Sequence, residues 1–242
     1  MSLFVQQTTD LSVKSLQQQK DLASHPQLRL SVKRLVVNAV IFDTSVLDHT
    51  IKKKSRRIVE YNGPFTTSTE VGFSNDEVSQ AESDLKWLHA QQSKQKLQTV
   101  SQSIDTLATI FRLYGTLNTI DLDAYVVQDC HAKVSTDKAG NWRPVFIRAL
   151  EIYKITTSAI AASGILLKTL FVFCDTLRCS VTSFDITSCF TELEAIPGFT
   201  SAFLSLEKFA ISFSTRAKTR VSRSKRAQLE GGTCCNYIKR KR

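Results

Sequence analysis

The chain has 242 residues, with 42% hydrophobic and 22% charged residues and a formal net charge of +10. That balance supports a sizeable core and excludes a linker or low-complexity chain. With only 8 Gly and no GxGxxG, GxxxxGK[ST], GxSxG, HExxH or paired CxxC, the commonest nucleotide-binding, hydrolase and zinc signatures are absent. In chain order, residues 1–26 are polar and Gln-rich and read as a flexible arm with a short helix over 11–23. Leu28, Leu30 and Val32 alternate with Arg29, Ser31 and Lys33 and run into the apolar 35–42, which predicts a long strand over 27–42. Ile58-Val59-Glu60-Tyr61, then Asn62-Gly63 and Phe65-Thr66-Thr67, predicts a β-hairpin, because Asn-Gly tolerates the positive φ that a tight turn needs.

Ser74 and Glu77 have the spacing of a capping box and open a helical tract. Val78, Ala81, Leu85 and Leu88 fall on one helix face; Leu97, Val100, Ile104, Leu107, Phe111 and Tyr114 form a second stripe out of phase with it. Two helices joined within 91–96 are expected, the second stopped at Gly115. Ile120, Leu122, Ala124 and Val126 alternate with Asp121, Asp123, Tyr125 and Val127, a strand. A turn over 135–141 returns to 142–147; 144–173 is apolar and reads as helix; 184–213 reads as a strand-like piece, a Pro197-Gly198 turn and a short helix over 201–213. The expected fold is α+β: a single compact core of a small antiparallel sheet packed with helices over 27–215, flanked by the 1–26 arm and a disordered basic tail over 216–242.

Charge divides unevenly. The last 27 residues hold ten basic residues against the single acid Glu230, so the first 215 are nearly neutral. Lys225-Arg226, a twelve-residue spacer and Lys239-Arg240-Lys241-Arg242 match a bipartite nuclear localisation signal, read in extended form by an import receptor. Arg216, Lys218, Arg220 and Arg223, with the block Lys52, Lys53, Lys54, Arg56 and Arg57, are candidates for holding phosphates of RNA or of an acidic membrane surface. The plainer reading of 52–57 is an edge strand whose charges discourage pairing. Cys234 and Cys235 precede the last basic cluster, the arrangement in which acylation and polybasic attraction would together anchor a chain to lipid.

No secretory signal is legible in the N-terminal stretch, which predicts reduced thiols and a protein that is not secreted. Residues 155–173 carry too many Thr, Ser and Lys for a membrane span and read as a buried helix. Neither a cofactor nor a metal site is expected: Cys130-His131 is an isolated pair, and Cys174, Cys179 and Cys189 have no close histidine. Asp121 and Asp123 share a strand face, but nothing beside them completes a general acid–base pair, so no enzyme activity is expected.

The polar arm, the strand over 27–42, Pro64-Phe65 leading to a Trp87-containing helix, and the bipartite tail together resemble the matrix proteins of rhabdoviruses, particularly those replicating in plant nuclei. The resemblance implies a virion structural protein that self-associates, bridges the nucleocapsid and a membrane, and enters the host nucleus. The chain lacks the PPxY motif of some relatives and carries its basic block at the C-terminal side. The alternative is a viral RNA-binding protein: a nucleocapsid, silencing suppressor or movement protein using 52–57 and the tail. A near-neutral core weighs against RNA binding by the core itself.

Overall fold

The computed structural model describes residues 5–62, 65–196, 199–214 and 234–239. One sheet is built on β2 (Arg34–Phe42) and β5 (Thr119–Val127), paired in parallel from Arg34↔Thr119 to Phe42↔Val127. Both strands are buried on both faces for most of their length, as their near-continuous apolar runs require of central parallel strands. On one side of β2 lies β1 (Gln6–Thr9), parallel to it. On the far side of β5 come β7 (Thr169–Val172) and β9 (Lys208–Ser214), both parallel, and then β10 (Cys234–Lys239), antiparallel to β9. Two short strands, β6 (Lys133–Val134) and β8 (Val181–Thr182), pair with β5 and β9.

Helices and a sheet do share one compact core, but the sheet is mostly parallel, with β10 and β6 antiparallel, where an antiparallel one is expected. The alternation over 28–33 that suggested a half-solvated strand belongs to a turn segment preceding β2. Each parallel crossover is made by helices, as such connections require. The helices are α1 (Val13–Ser24) before β2, α4 (Val100–Tyr114) before β5, α5 (Trp142–Ser163) before β7, and α6 (Ser183–Leu193) with α7 (Phe199–Leu204) before β9. All five contribute to the one apolar cluster that holds Leu35, Val37, Ala39 and Ile41 of β2 and Ile120, Leu122, Ala124 and Val126 of β5.

The N-terminal segment is not an arm. Its β1 extends the sheet, and Leu11, Leu16 and Ala23 are buried in the main core. Gln19, on the inner face of α1, accepts a 2.6 Å hydrogen bond from the Tyr114 hydroxyl of α4 and donates one to the Thr8 carbonyl at 3.2 Å. The tail is likewise not wholly apart from the fold, since 234–239 within it pair with β9.

Between β2 and β5 the chain inserts α2 (Ser45–Lys53), the hairpin β3 (Ser55–Asn62) with β4 (Phe65–Gly72), and α3 (Asn75–Leu97). Asn62 is registered with Phe65, so the expected hairpin is present. The Ser74–Glu77 capping box forms in both directions. Leu88 of α3 and Leu47 of α2 cover the second face of the sheet at Val40, Phe42, Tyr125 and Val127. The break between the two helices falls at Gln98-Thr99 rather than within 91–96, because the Thr99 hydroxyl accepts from the Gln102 N–H and caps α4. Gly115 ends α4 at φ +47.

Trp142 opens α5, because Asn141 caps the helix by accepting from the Arg143 N–H. Two further expectations change. The apolar 144–173 is helix only to Ser163; Gly164, at φ +70, ends it and β7 follows. Residues 183–193 are helical and 208–214 form β9, reversing the order of elements expected there, since Thr182 caps α6 through the Asp185 N–H.

Candidate functional site: a cleft at the carboxyl end of β2

Because β1 pairs with β2 only as far as Thr9↔Val37, the last five residues of β2 have no neighbouring strand on that side among the described residues. Their carbonyls are satisfied by side chains instead. Gln95 Nε2 donates to the Val40 carbonyl at 3.1 Å and Gln92 Nε2 to the Phe42 carbonyl at 2.8 Å, so two glutamines of α3 stand where a strand would. Beyond them opens a cavity of about 630 Å³, within the usual range for a small-molecule site. It lies beside the carboxyl ends of parallel strands, where ligands of open α/β sheets commonly bind.

Its walls are of three kinds. Leu11, Val40, Phe42 and Ile155 form an apolar side, while Val13, Leu97 and Val100 stand at its edge with 70%, 81% and 46% of their surface exposed. The first turns of α1 and α4 also line it. Neither has an acidic residue in that turn; the Ser12 and Thr99 hydroxyls each cap one N–H of it, and Asp10 accepts from the Ser12 N–H at 2.9 Å. The third element is Arg148 of α5. Its side chain is only 12% exposed; Nη1 donates to Glu151 Oε2 at 2.7 Å, and the buried Nε has no hydrogen-bond partner. Lys14, Lys94 and Asp10 are the other charged groups at the cavity.

Sequence reading does not single out these residues, but one signal was present. Arg148 sits on the spacing Val145, Arg148, Ile152, Ile155, Ala159, the buried stripe of α5. A cation on a core stripe requires either a partner or a cavity, and Arg148 has both.

The basic block is distributed. Lys52 and Lys53 occupy the last turn of α2 and Lys54 caps it in the left-handed region at φ +54. All three are exposed, and cations there suit the helix dipole. Arg56 and Arg57 belong to β3, registered with Val71 and Glu70 of β4. The six residues therefore do not form one continuous strand edge. Of the tail residues, Cys234, Cys235 and Lys239 fall in β10. Arg216, Lys218, Arg220, Arg223, Lys225, Arg226, Arg240, Lys241 and Arg242 lie outside the described residues.

Asp121 and Asp123 do share the second face of β5, but each is engaged separately. Asp121 is paired with Arg34, and Asp123 accepts from the Thr176 hydroxyl at 2.6 Å. Burial raises the Asp121 carboxyl against the lowering effect of Arg34. Cys130 and His131 lie in an exposed turn; a hydrogen bond to Asp84 raises the Cys130 thiol. Cys179 and Cys189 are buried, and desolvation pushes Cys189 up to about 11. Among the described residues no three His, Cys, Asp or Glu side chains are placed to hold a metal, and no helix is long and apolar enough to cross a membrane. No family model, curated protein or solved structure matches this chain.

Proposed function

We propose that this chain is a matrix-type structural protein without enzymatic activity, whose neutral α/β core associates with itself while its basic C-terminal stretch holds polyanions and directs it to the host nucleus. The observation that carries this reading is the segregation of charge: ten basic residues against one acid in the last 27, with near neutrality before them. Such a stretch binds RNA phosphates or acidic lipid by counterion release, without base recognition. A nucleocapsid on one side and an anionic membrane on the other are the partners it suits, together with an import receptor for Lys225-Arg226 and 239–242.

The test keeps the chain whole, because removing 216–242 would also strip β10 from β9. Replacing Arg216, Lys218, Arg220, Arg223, Lys225 and Arg226 by Gln leaves β10 in place. For single-stranded RNA this should flatten the salt dependence by about four logarithmic units per unit of log salt, lower vesicle binding in parallel, and exclude a fluorescent fusion from nuclei. Sedimentation of the same variant should still show oligomers. Full-strength RNA binding by the neutralised variant would favour the alternative, an RNA-binding protein contacting RNA through the exposed Lys52, Lys53 and Lys54; a monomer at all concentrations would remove the matrix reading.

A further inference from the structure

We propose that the cleft at the carboxyl end of β2 binds a monoanionic amphipath, an acyl chain ending in a carboxylate, with the chain along the apolar wall and the carboxylate at Arg148. The cleft is large enough for such a molecule at about 630 Å³. Its apolar side, Leu11, Val40, Phe42 and Ile155, offers no hydrogen bonds from side chains and suits an alkyl chain. The carbonyls of Val40 and Phe42 that would otherwise face this chain are already occupied by Gln95 and Gln92. An extended peptide adding to β2 would have to displace both, whereas an alkyl chain needs no backbone partner.

The charged end is set by Arg148. Glu151 takes one of its amino groups and leaves the buried Nε unpartnered. Arg148 lines the cavity with 12% of its side chain exposed, and that remaining guanidinium surface is the cation a carboxylate there would meet. The first turn of α4, which holds no acidic residue, reinforces the sign; at α1 the Asp10 carboxylate already accepts from the Ser12 N–H at 2.9 Å. Lys14, Lys94 and Arg148 against Asp10 and Glu151 leave one positive charge in excess around the cavity, which suits a single negative charge. The exposed Val13, Leu97 and Val100 at the edge would cover the emerging chain. The cleft would take the same ligand whether or not the chain is a matrix-type protein.

The test titrates the full chain with dodecanoate below its micellar concentration, by calorimetry, against dodecyltrimethylammonium of equal chain length. The basic tail attracts any anionic amphipath, so two variants that leave the tail untouched decide the location. Arg148→Gln removes the head-group contact; its partner Glu151 is 39% exposed and remains hydrated. Val100→Trp adds bulk at the edge from a position 46% exposed, where the fold has room for it. Saturable binding of dodecanoate is expected, with no saturable binding of the cation. Arg148→Gln should weaken dodecanoate about ten-fold, and Val100→Trp should abolish it. Undiminished binding in both variants would place the ligand on the tail and overturn the proposal. Equal binding of the cationic amphipath, or no saturable binding of dodecanoate by the unaltered chain, would overturn it as well.

Discussion

Replacing Tyr114 by Phe tests whether the N-terminal segment is part of the folded core. The Tyr114 hydroxyl is buried and donates to Gln19 Oε1 at 2.6 Å, and Gln19 itself is only 6% exposed. Deleting the hydroxyl removes one hydrogen bond and strands an acceptor with little access to water. A stranded buried acceptor costs about 1–3 kcal/mol, more than the bond's own net worth. A loss of about 2 kcal/mol would lower Tm by roughly 4–8 °C in a domain of this size. Gln19→Leu in the same background removes the stranded acceptor, so the double variant should recover part of the loss. A double-mutant cycle read by urea denaturation should give a coupling of about 1 kcal/mol. Hydrogen exchange over 13–24 should accelerate in Tyr114→Phe and not elsewhere. A cost below about 0.5 kcal/mol, with no coupling and no change in exchange, would mean that α1 does not dock on α4.

Leu88 is the one large apolar side chain of α3 that is fully buried, 0% exposed against Val40 and Val127. Leu88→Ala should cost about 2–5 kcal/mol, measured by denaturant midpoint. Cys179 and Cys189 are buried while Cys130 is exposed. Peptide mapping after alkylation should therefore find Cys130 labelled in the native chain, and Cys179 and Cys189 labelled only on unfolding. Burial raises Cys189 from its ordinary 9.0 to about 11, so the folded chain keeps a proton that the unfolded chain releases. Its contribution to stability is complete below pH 9 and falls away as pH rises to about 11; thermal melts across that interval should show Tm declining. Exchanging Gln92 and Gln95 together for Ala frees the carbonyls of Val40 and Phe42 and should cost about 1–3 kcal/mol.

Local chemistry was the most legible part of the sequence. The Ser74–Glu77 box, the Gly115 stop, the Asn62 hairpin and the shared face of Asp121 and Asp123 each depend on residues a few positions apart, and each is present. Strand direction was not legible. A buried parallel strand and a half-exposed antiparallel one can both contain Leu35-Val36-Val37, and only the identity of the neighbour separates them. The place of α1 was hidden for the same reason: its polar Gln19 reads as surface until Tyr114, 95 positions along, supplies its partner. The cleft combines short pieces of β2, α1, α3, α4 and α5, so no single stretch announces it. Arg148 on an apolar stripe is the exception.

The insertion between β2 and β5 has a consequence for synthesis. Arg34 and its ion-pair partner Asp121 are 87 positions apart, so the central pair of the sheet cannot close until about a third of the chain has followed β2 out of the ribosome. During that interval Leu35, Val37, Ala39 and Ile41 stand as an uncovered apolar row, of the kind on which nascent chains aggregate. The row is flanked by Lys33 and Arg34 and followed by Asp43, charges that discourage a second chain from pairing with it while it waits. A chaperone that recognises short apolar strands should engage this protein early and release it only after Val127 has emerged.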